Sequence, residues 1–296
     1  MNHPTIGLAL LAALVCIHPA QAAARSVDQH QAADPNGTVE IINVAGSVQV
    51  RGWDRSEVAV SGEIGASVDR VELQSSGTRT TVRVVGPGGS HWGGDGSARL
   101  SVHVPSHSAL NASLVSADLT VEGVTGAQQL RSVSGSIKSD GGGTARINTV
   151  DGGVTLSVPA NTNAEVVTMS GDVTLKGAGG EVTINTVSGG GTLTLATLHS
   201  FRLRTVSGDF KIDGWLDPAA AVDVQSVSGD VQLDLSGAPK AQFDVHSLSG
   251  TIHNCNGPQA VQAQYGPGSR LSFTTGDGKA QVRMTSTAGE LDLCAK

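Results

Sequence analysis

Aromatic side chains are scarce in this chain. Four Phe, three Trp and one Tyr are spread over 296 residues, too few and too scattered for the stacked platforms that polysaccharide-acting sites use. Charge is scarce too, at 15% of residues, while 39% are hydrophobic. That balance excludes a disordered chain, which would be charged and poor in Val, Ile and Leu. Basic residues are outnumbered, 19 Lys and Arg against 26 Asp and Glu, for a net charge of −7. Nucleic acid is therefore excluded as a partner, because its binding rests on clustered Lys and Arg. The 39 glycines have no three-residue period, which excludes collagen.

Long apolar runs are also missing, with one exception. Residues 6–17 form an apolar stretch of signal-peptide length, too short for the roughly 20 residues that span a bilayer. Ala20-Gln21-Ala22 follows as a small-x-small cleavage pattern, so 1–22 reads as a signal peptide cut near Ala22. Lipidation at Cys16 is the rival reading, and bulky Val15 argues against it. The expected location is the periplasm or the cell surface, with no transmembrane anchor in the mature chain. Of three cysteines, Cys255 and Cys294 remain after cleavage. An even count in an oxidising compartment reads as one structural disulfide closing a loop of about 39 residues. Residues 23–36 read as a disordered leader.

What the chain has in abundance is a repeat. Thr-Val-Ser-Gly-Asp-Phe at 205–210 recurs as Ser-Val-Ser-Gly-Ser-Ile at 132–137, Thr-Met-Ser-Gly-Asp-Val at 168–173 and Ser-Val-Ser-Gly-Asp-Val at 226–231. The repeat glycines stand at 135, 152, 171, 189, 208, 229 and 250, with gaps of 17 to 21 residues. Leu-Val-Ser-Ala-Asp-Leu at 114–119 is an early degenerate copy, and Ser-Thr-Ala-Gly-Glu-Leu at 286–291 a late one. Each copy alternates apolar and polar residues with period two, as in Phe201-Arg202-Leu203-Arg204-Thr205. Leu203 and Val206 are three apart, so a bend or bulge near Thr205 is needed.

Two short strands and a corner per 17–21 residues predict one coil of a parallel β-solenoid. The expected fold is a single all-β domain. Residues 37–107 supply irregular N-terminal strands and a cap, 108–296 supply the coils, and 86–96 form a flexible loop. Antiparallel hairpins would not repeat the same residue type in the same column. In this reading Val133, Val150, Met169, Val187, Val206, Val227 and Leu248 form an internal ladder. Thr149, Thr168, Thr186, Thr205, Ser226 and Ser247 form an outward one. Asp172, Asp209 and Asp230 follow their glycines and read as turn formers rather than calcium ligands, since only the last two are consecutive.

The run Gly46-Ser47-Val48-Gln49-Val50-Arg51-Gly52-Trp53-Asp54, the iterated Thr-Val-Ser-Gly-Asp-Val, Val102-His103-Val104-Pro105 and Tyr265 to Leu271 resemble the DUF4097 group of β-strand-repeat proteins named as adhesins. The resemblance covers about 37 to 294 and implies a β-helix-like fold in the cell envelope. It supplies no catalytic residues.

No nucleophile elbow, phosphate loop or dinucleotide motif is present. His91, His103 and His107 lie on or beside a strand, where four-residue spacing has no helical meaning. Glu57, Glu63, Asp69 and Glu72 read as solvated strand faces. The expectation is no catalytic, cofactor-binding or metal residue, no cofactor, and a non-catalytic envelope protein that binds a glycan or another envelope protein. Self-association through the solenoid ends is a further expectation. The alternative is a polysaccharide lyase or hydrolase built on a β-helix; an ice-binding solenoid would need two regular Thr columns where one mixed column stands.

Overall fold

The computed structural model describes residues 24–86, 96–263 and 267–295; the expected signal peptide, most of the 86–96 loop and His91 lie outside them. The described residues hold strands and turns and no helix. In chain order the strands are β1 (Arg25–Ala32), β2 (Thr38–Trp53), β3 (Glu57–Ile64), β4 (Arg70–Ser76), β5 (Arg79–Val85), β6 (Ala98–Pro105), β7 (Ala109–Val124), β8 (Gln128–Ser132) and β9 (Ile137–Gly141). There follow β10 (Ala145–Thr149), β11 (Val154–Val158), β12 (Ala164–Val167), β13 (Val173–Gly177), β14 (Glu181–Asn185), β15 (Gly191–Thr205) and β16 (Phe210–Ser226). The chain ends with β17 (Val231–Ser236), β18 (Ala241–Ser247), β19 (Ile252–Asn254), β20 (Val261–Gln262), β21 (Ser269–Thr274), β22 (Ala280–Ser286) and β23 (Leu291–Ala295).

These strands build a parallel β-solenoid with two walls. In each coil the strand before the repeat glycine lies in the first wall and the strand after it in the second. The first wall runs β8, β10, β12, β14, then the second half of β15 and of β16, all parallel. The second wall runs β9, β11, β13, then the first halves of β15 and β16, and β17. Between the walls the alternating apolar residues stack rung on rung. Leu130, Ile147, Val166, Ile184, Leu203 and Val224 form one fully buried ladder from the first wall. Leu156, Leu175, Leu193, Ile212 and Leu233 face it from the second. The narrow interior is filled mainly by aliphatic side chains, with Phe201, Phe210 and Phe243 buried among them, which fits the scarcity of aromatics.

The N-terminal strands continue the same stack. β2 bends from one wall to the other and lies parallel to β7 through both, and one hydrophobic core runs from Val39 to Leu293. β5 and β6 add to β2 in parallel, while β4, β3 and β1 follow antiparallel. The segment expected as a disordered leader is corrected here: Arg25–Ala32 is the edge strand β1, paired along its whole length with β3. Backbone hydrogen bonding to an open edge holds it, and its apolar content is too low to show in the sequence.

The coil order departs from the sequence order at the other end. β22 lies between β16 and β18, and β23 lies between β17 and β19. The last copy of the repeat is therefore an interior rung, and the copy before it closes the stack. β21 and β20 then pair antiparallel beyond β18. The disulfide Cys255–Cys294, with Cα atoms 4.9 Å apart, ties the terminal coil to the inserted one.

The two ladders assigned from the repeat are reversed. Thr149, Thr168, Thr186, Thr205, Ser226 and Ser247 are buried, at 3–6% exposure, and Val133 to Leu248 in the neighbouring column face solvent. The cause is a hydrogen bond. At the sharp corner the N–H of every repeat glycine but Gly152 is turned to an inward acceptor, which a buried N–H needs. The hydroxyl three residues earlier supplies it: Gly208 N donates to Thr205 Oγ1 at 2.9 Å, Gly171 N to Thr168 at 3.0 Å and Gly229 N to Ser226 at 3.0 Å. Valine has no acceptor, so it takes the outward place. Thr205→Val is expected to cost about 1–3 kcal/mol, the cost of stranding the Gly208 N–H. Thr149→Val makes the comparison, since Thr149 Oγ1 is buried without a partner, and its urea midpoint is expected to stay at or above that of the parent.

Candidate functional site: the sharp corner and its flanks

Because the hydroxyl column turns inward, an apolar column turns outward. Val115, Val133, Val150, Met169, Val187, Val206 and Val227 occupy seven successive rungs, then Thr287 of the inserted coil, then Leu248. The apolar members are 42–56% exposed. At about 4.8 Å per rung the stripe is about 38 Å long and one side chain wide. Backbone bonds that climb the corner fix it, such as Ser170 N to Val150 O, Ser188 N to Met169 O and Ser207 N to Val187 O, each 2.9 Å. Isolated surface valines are ordinary, but an unbroken file of them along one edge is a contiguous apolar feature.

The flanks carry opposite character. On the second wall, the first outward residue after each corner glycine, or after Ala117 in its place, includes Asp118, Asp172, Asp209, Asp230 and Glu290. The inserted coil places Glu290 above Asp230, so Asp209, Asp230 and Glu290 stand on three successive rungs where the sequence shows only two neighbours. Each aspartate accepts a hydrogen bond from the next rung, with Asp230 N to Asp209 Oδ1 at 2.9 Å and Glu290 N to Asp230 Oδ1 at 2.7 Å. The carboxylates thereby hold rungs together. They border an open groove of about 600 Å³ with Thr192, Lys211 and Gln232. Among the described residues no group of three or more His, Cys, Asp and Glu is arranged to hold a metal ion.

On the first wall, the last outward residue before the corner includes Arg131, Arg204 and His246. Behind them lie Arg146, which meets Glu165 at 2.7 Å, and Arg202, which lies 3.9 Å from Asp223. From β7 to β23 the strands of this wall carry six arginines against four carboxylates. Those of the second wall, with the residue after each corner glycine, carry ten carboxylates against three lysines. One edge thus separates an acidic wall from a basic one.

Other residues singled out from sequence contact neighbours away from this edge. His103 lies against Trp53, with ring centroids 5.0 Å apart, and His107 Nδ1 is 3.0 Å from Thr125 Oγ1, so the two histidines serve different neighbours. Glu57 pairs with Arg55, and Glu72 with Arg70. Asp277 has its carboxyl held below the usual range by a hydrogen bond from Lys279, on a fully exposed turn. The sequence signal that would have found the stripe is the Thr/Ser-x-x-Gly spacing, which demands an inward hydroxyl and leaves the residue after it outside.

Residues 165–293 match the family described as Toastrack DUF4097. No curated protein matches the chain. Among solved structures, a "putative cell adhesion protein" from Clostridium sporogenes aligns over 92% of this chain and 100% of its own, at 9% identity and a TM-score of 0.24. That score is too low to carry an argument. The repeated Thr/Ser-x-x-Gly corners lie largely within the matched segment, so it is the iterated-corner part of the chain, residues 165–293, that is similar to the Toastrack DUF4097 family.

Proposed function

We propose that the protein is an exported, non-catalytic scaffold of the cell envelope that binds another macromolecule along its sharp corner. The stripe from Val115 to Leu248 carries this reading. Apolar side chains at 42–56% exposure, in a file broken once by Thr287, favour a partner that removes them from water. An aliphatic edge suits a protein surface better than a sugar, which would call for aromatic platforms and forked polar groups. The apolar stretch at 6–17 and the Ala20-Gln21-Ala22 pattern support export.

A photo-crosslinking side chain at Val187 is the direct test in living cells. It is expected to give a discrete adduct, while the same group at Thr192, on the open second wall, gives none. Equal labelling at both positions, or none at either, overturns the reading. Protease treatment of intact and osmotically opened cells then separates surface from periplasm. The polysaccharide-enzyme alternative would use the acidic groove. Its carboxylates at Asp209 and Asp230 already accept backbone hydrogen bonds, and purified protein is expected to turn over no glycan.

A further inference from the structure

We infer that the partner on the sharp corner is a second copy of this chain, lying parallel to the first about a two-fold axis that runs along the stack. The inference rests on the proposed binding role of the stripe and names its occupant.

The dimensions come first. A stable interface needs about 800 Å² from each partner. Over about 38 Å of stripe, that requires a contact about 20 Å wide. Outward neighbours along a strand are about 6.7 Å apart, so the contact must take in the stripe and one outward column on either side. Those columns are the ones of opposite charge, and they decide the geometry.

Two identical edges can meet side by side about a two-fold axis in two ways. With the axis across the stack, the copies run antiparallel, acidic wall beside acidic wall and basic beside basic. With the axis along the stack, they run parallel, and each acidic wall continues into the partner's basic wall. Like charges placed together disfavour the first arrangement, and the second is complementary along its length. It also brings each stripe residue against its own counterpart, so the 4.8 Å period of one edge matches the other without drift.

One rung shows the pairing. Arg204 and Asp209 flank the same corner on opposite walls, both exposed, and Arg204 makes no ion pair among the described residues. The parallel two-fold sets Arg204 beside the partner's Asp209, and Asp209 beside the partner's Arg204. One rung apart, Arg131 approaches the partner's Asp118, and His246 the partner's Glu290.

The test uses the folded, disulfide-intact chain. Sedimentation equilibrium is expected to give the mass of two chains. Val133→Cys, Val206→Cys and Val227→Cys, made singly, are each expected to crosslink to themselves under mild oxidation, because a parallel two-fold pairs every rung with itself. An antiparallel dimer would crosslink only near the middle of the stripe, and that result overturns the parallel arrangement. Arg204→Glu is expected to weaken the dimer at least about tenfold, and Arg204→Glu with Asp209→Arg to recover most of the loss. Absence of recovery, with unchanged circular dichroism, overturns the charge pairing. If the chain is monomeric yet Val187 still captures a different envelope protein, the second copy is wrong and the binding role stands. If it is monomeric and Val187 captures nothing, both fall.

Discussion

Gly208→Val is expected to remove about 3 kcal/mol or more of stability and to lower the urea midpoint further than Thr205→Val does. A Cβ at 208 would lie 2.0 Å from the carbonyl oxygen of Gly189 and 2.7 Å from its carbon. Ordinary overpacking costs about 1–3 kcal/mol because side chains can turn away. Here the obstacle is backbone, and Ser207 N to Val187 O on the same corner holds the two rungs at their spacing. The same clash recurs up the column, where Gly171, Gly189 and Gly229 would each meet the carbonyl beneath at 2.0–2.1 Å. Gly153→Ala is the control. Its new methyl would have no neighbour nearer than 3.9 Å, so its midpoint is expected to stay level or rise slightly. Equal losses at 153 and 208 would refute the close-approach account and point to backbone entropy instead.

Replacing Cys255 and Cys294 together by Ala is expected to cost about 4 kcal/mol in the chain-entropy account of a 39-residue loop. That loop contains β20, β21 and β22, so its closure holds the inserted coil against the coil that covers it. The lower midpoint should come with faster amide exchange in Ile252–Asn254 and Leu291–Ala295 before the rest of the stack. Reduction of the parent protein should reproduce the shift. If reduced and oxidised forms unfold at the same urea concentration, the bridge is not a stabilising closure.

The solenoid was legible because its signal is iterated. Seven glycines at 17–21-residue gaps, each with period-two alternation on both sides, leave little room for another architecture. The phase of the corner was not legible from hydrophobicity. In Thr205-Val206 the valine is the more apolar residue, and only the demand of the Gly208 N–H sends the threonine inside. The late coil order was hidden because successive copies ordinarily stack in sequence. Nothing in Ser286 to Leu291 marks it as an interior piece. β1 escaped notice because Arg25-Ser26-Val27-Asp28-Gln29-His30 has a single large apolar residue, and its pairing with β3 is a property of the exposed edge rather than of its own composition. The acidic triplet Asp209, Asp230 and Glu290 was hidden for the same reason as the coil order.

The interior position of the last coil makes the molecule intolerant of being cut short. Residues 280–295 are synthesised after 241–254, so until they emerge β18 and β19 lack the parallel neighbours on which they settle. In a plain solenoid a premature stop or a carboxypeptidase trims the end and leaves a shorter rod. Here the same truncation takes out a middle plank, and the coil at 241–254 loses its support although its own residues are intact. Duplication of repeats meets the same rule: copies can be added upstream of Ser226, whereas one appended after Ala295 would find the end of the stack already occupied by an earlier segment.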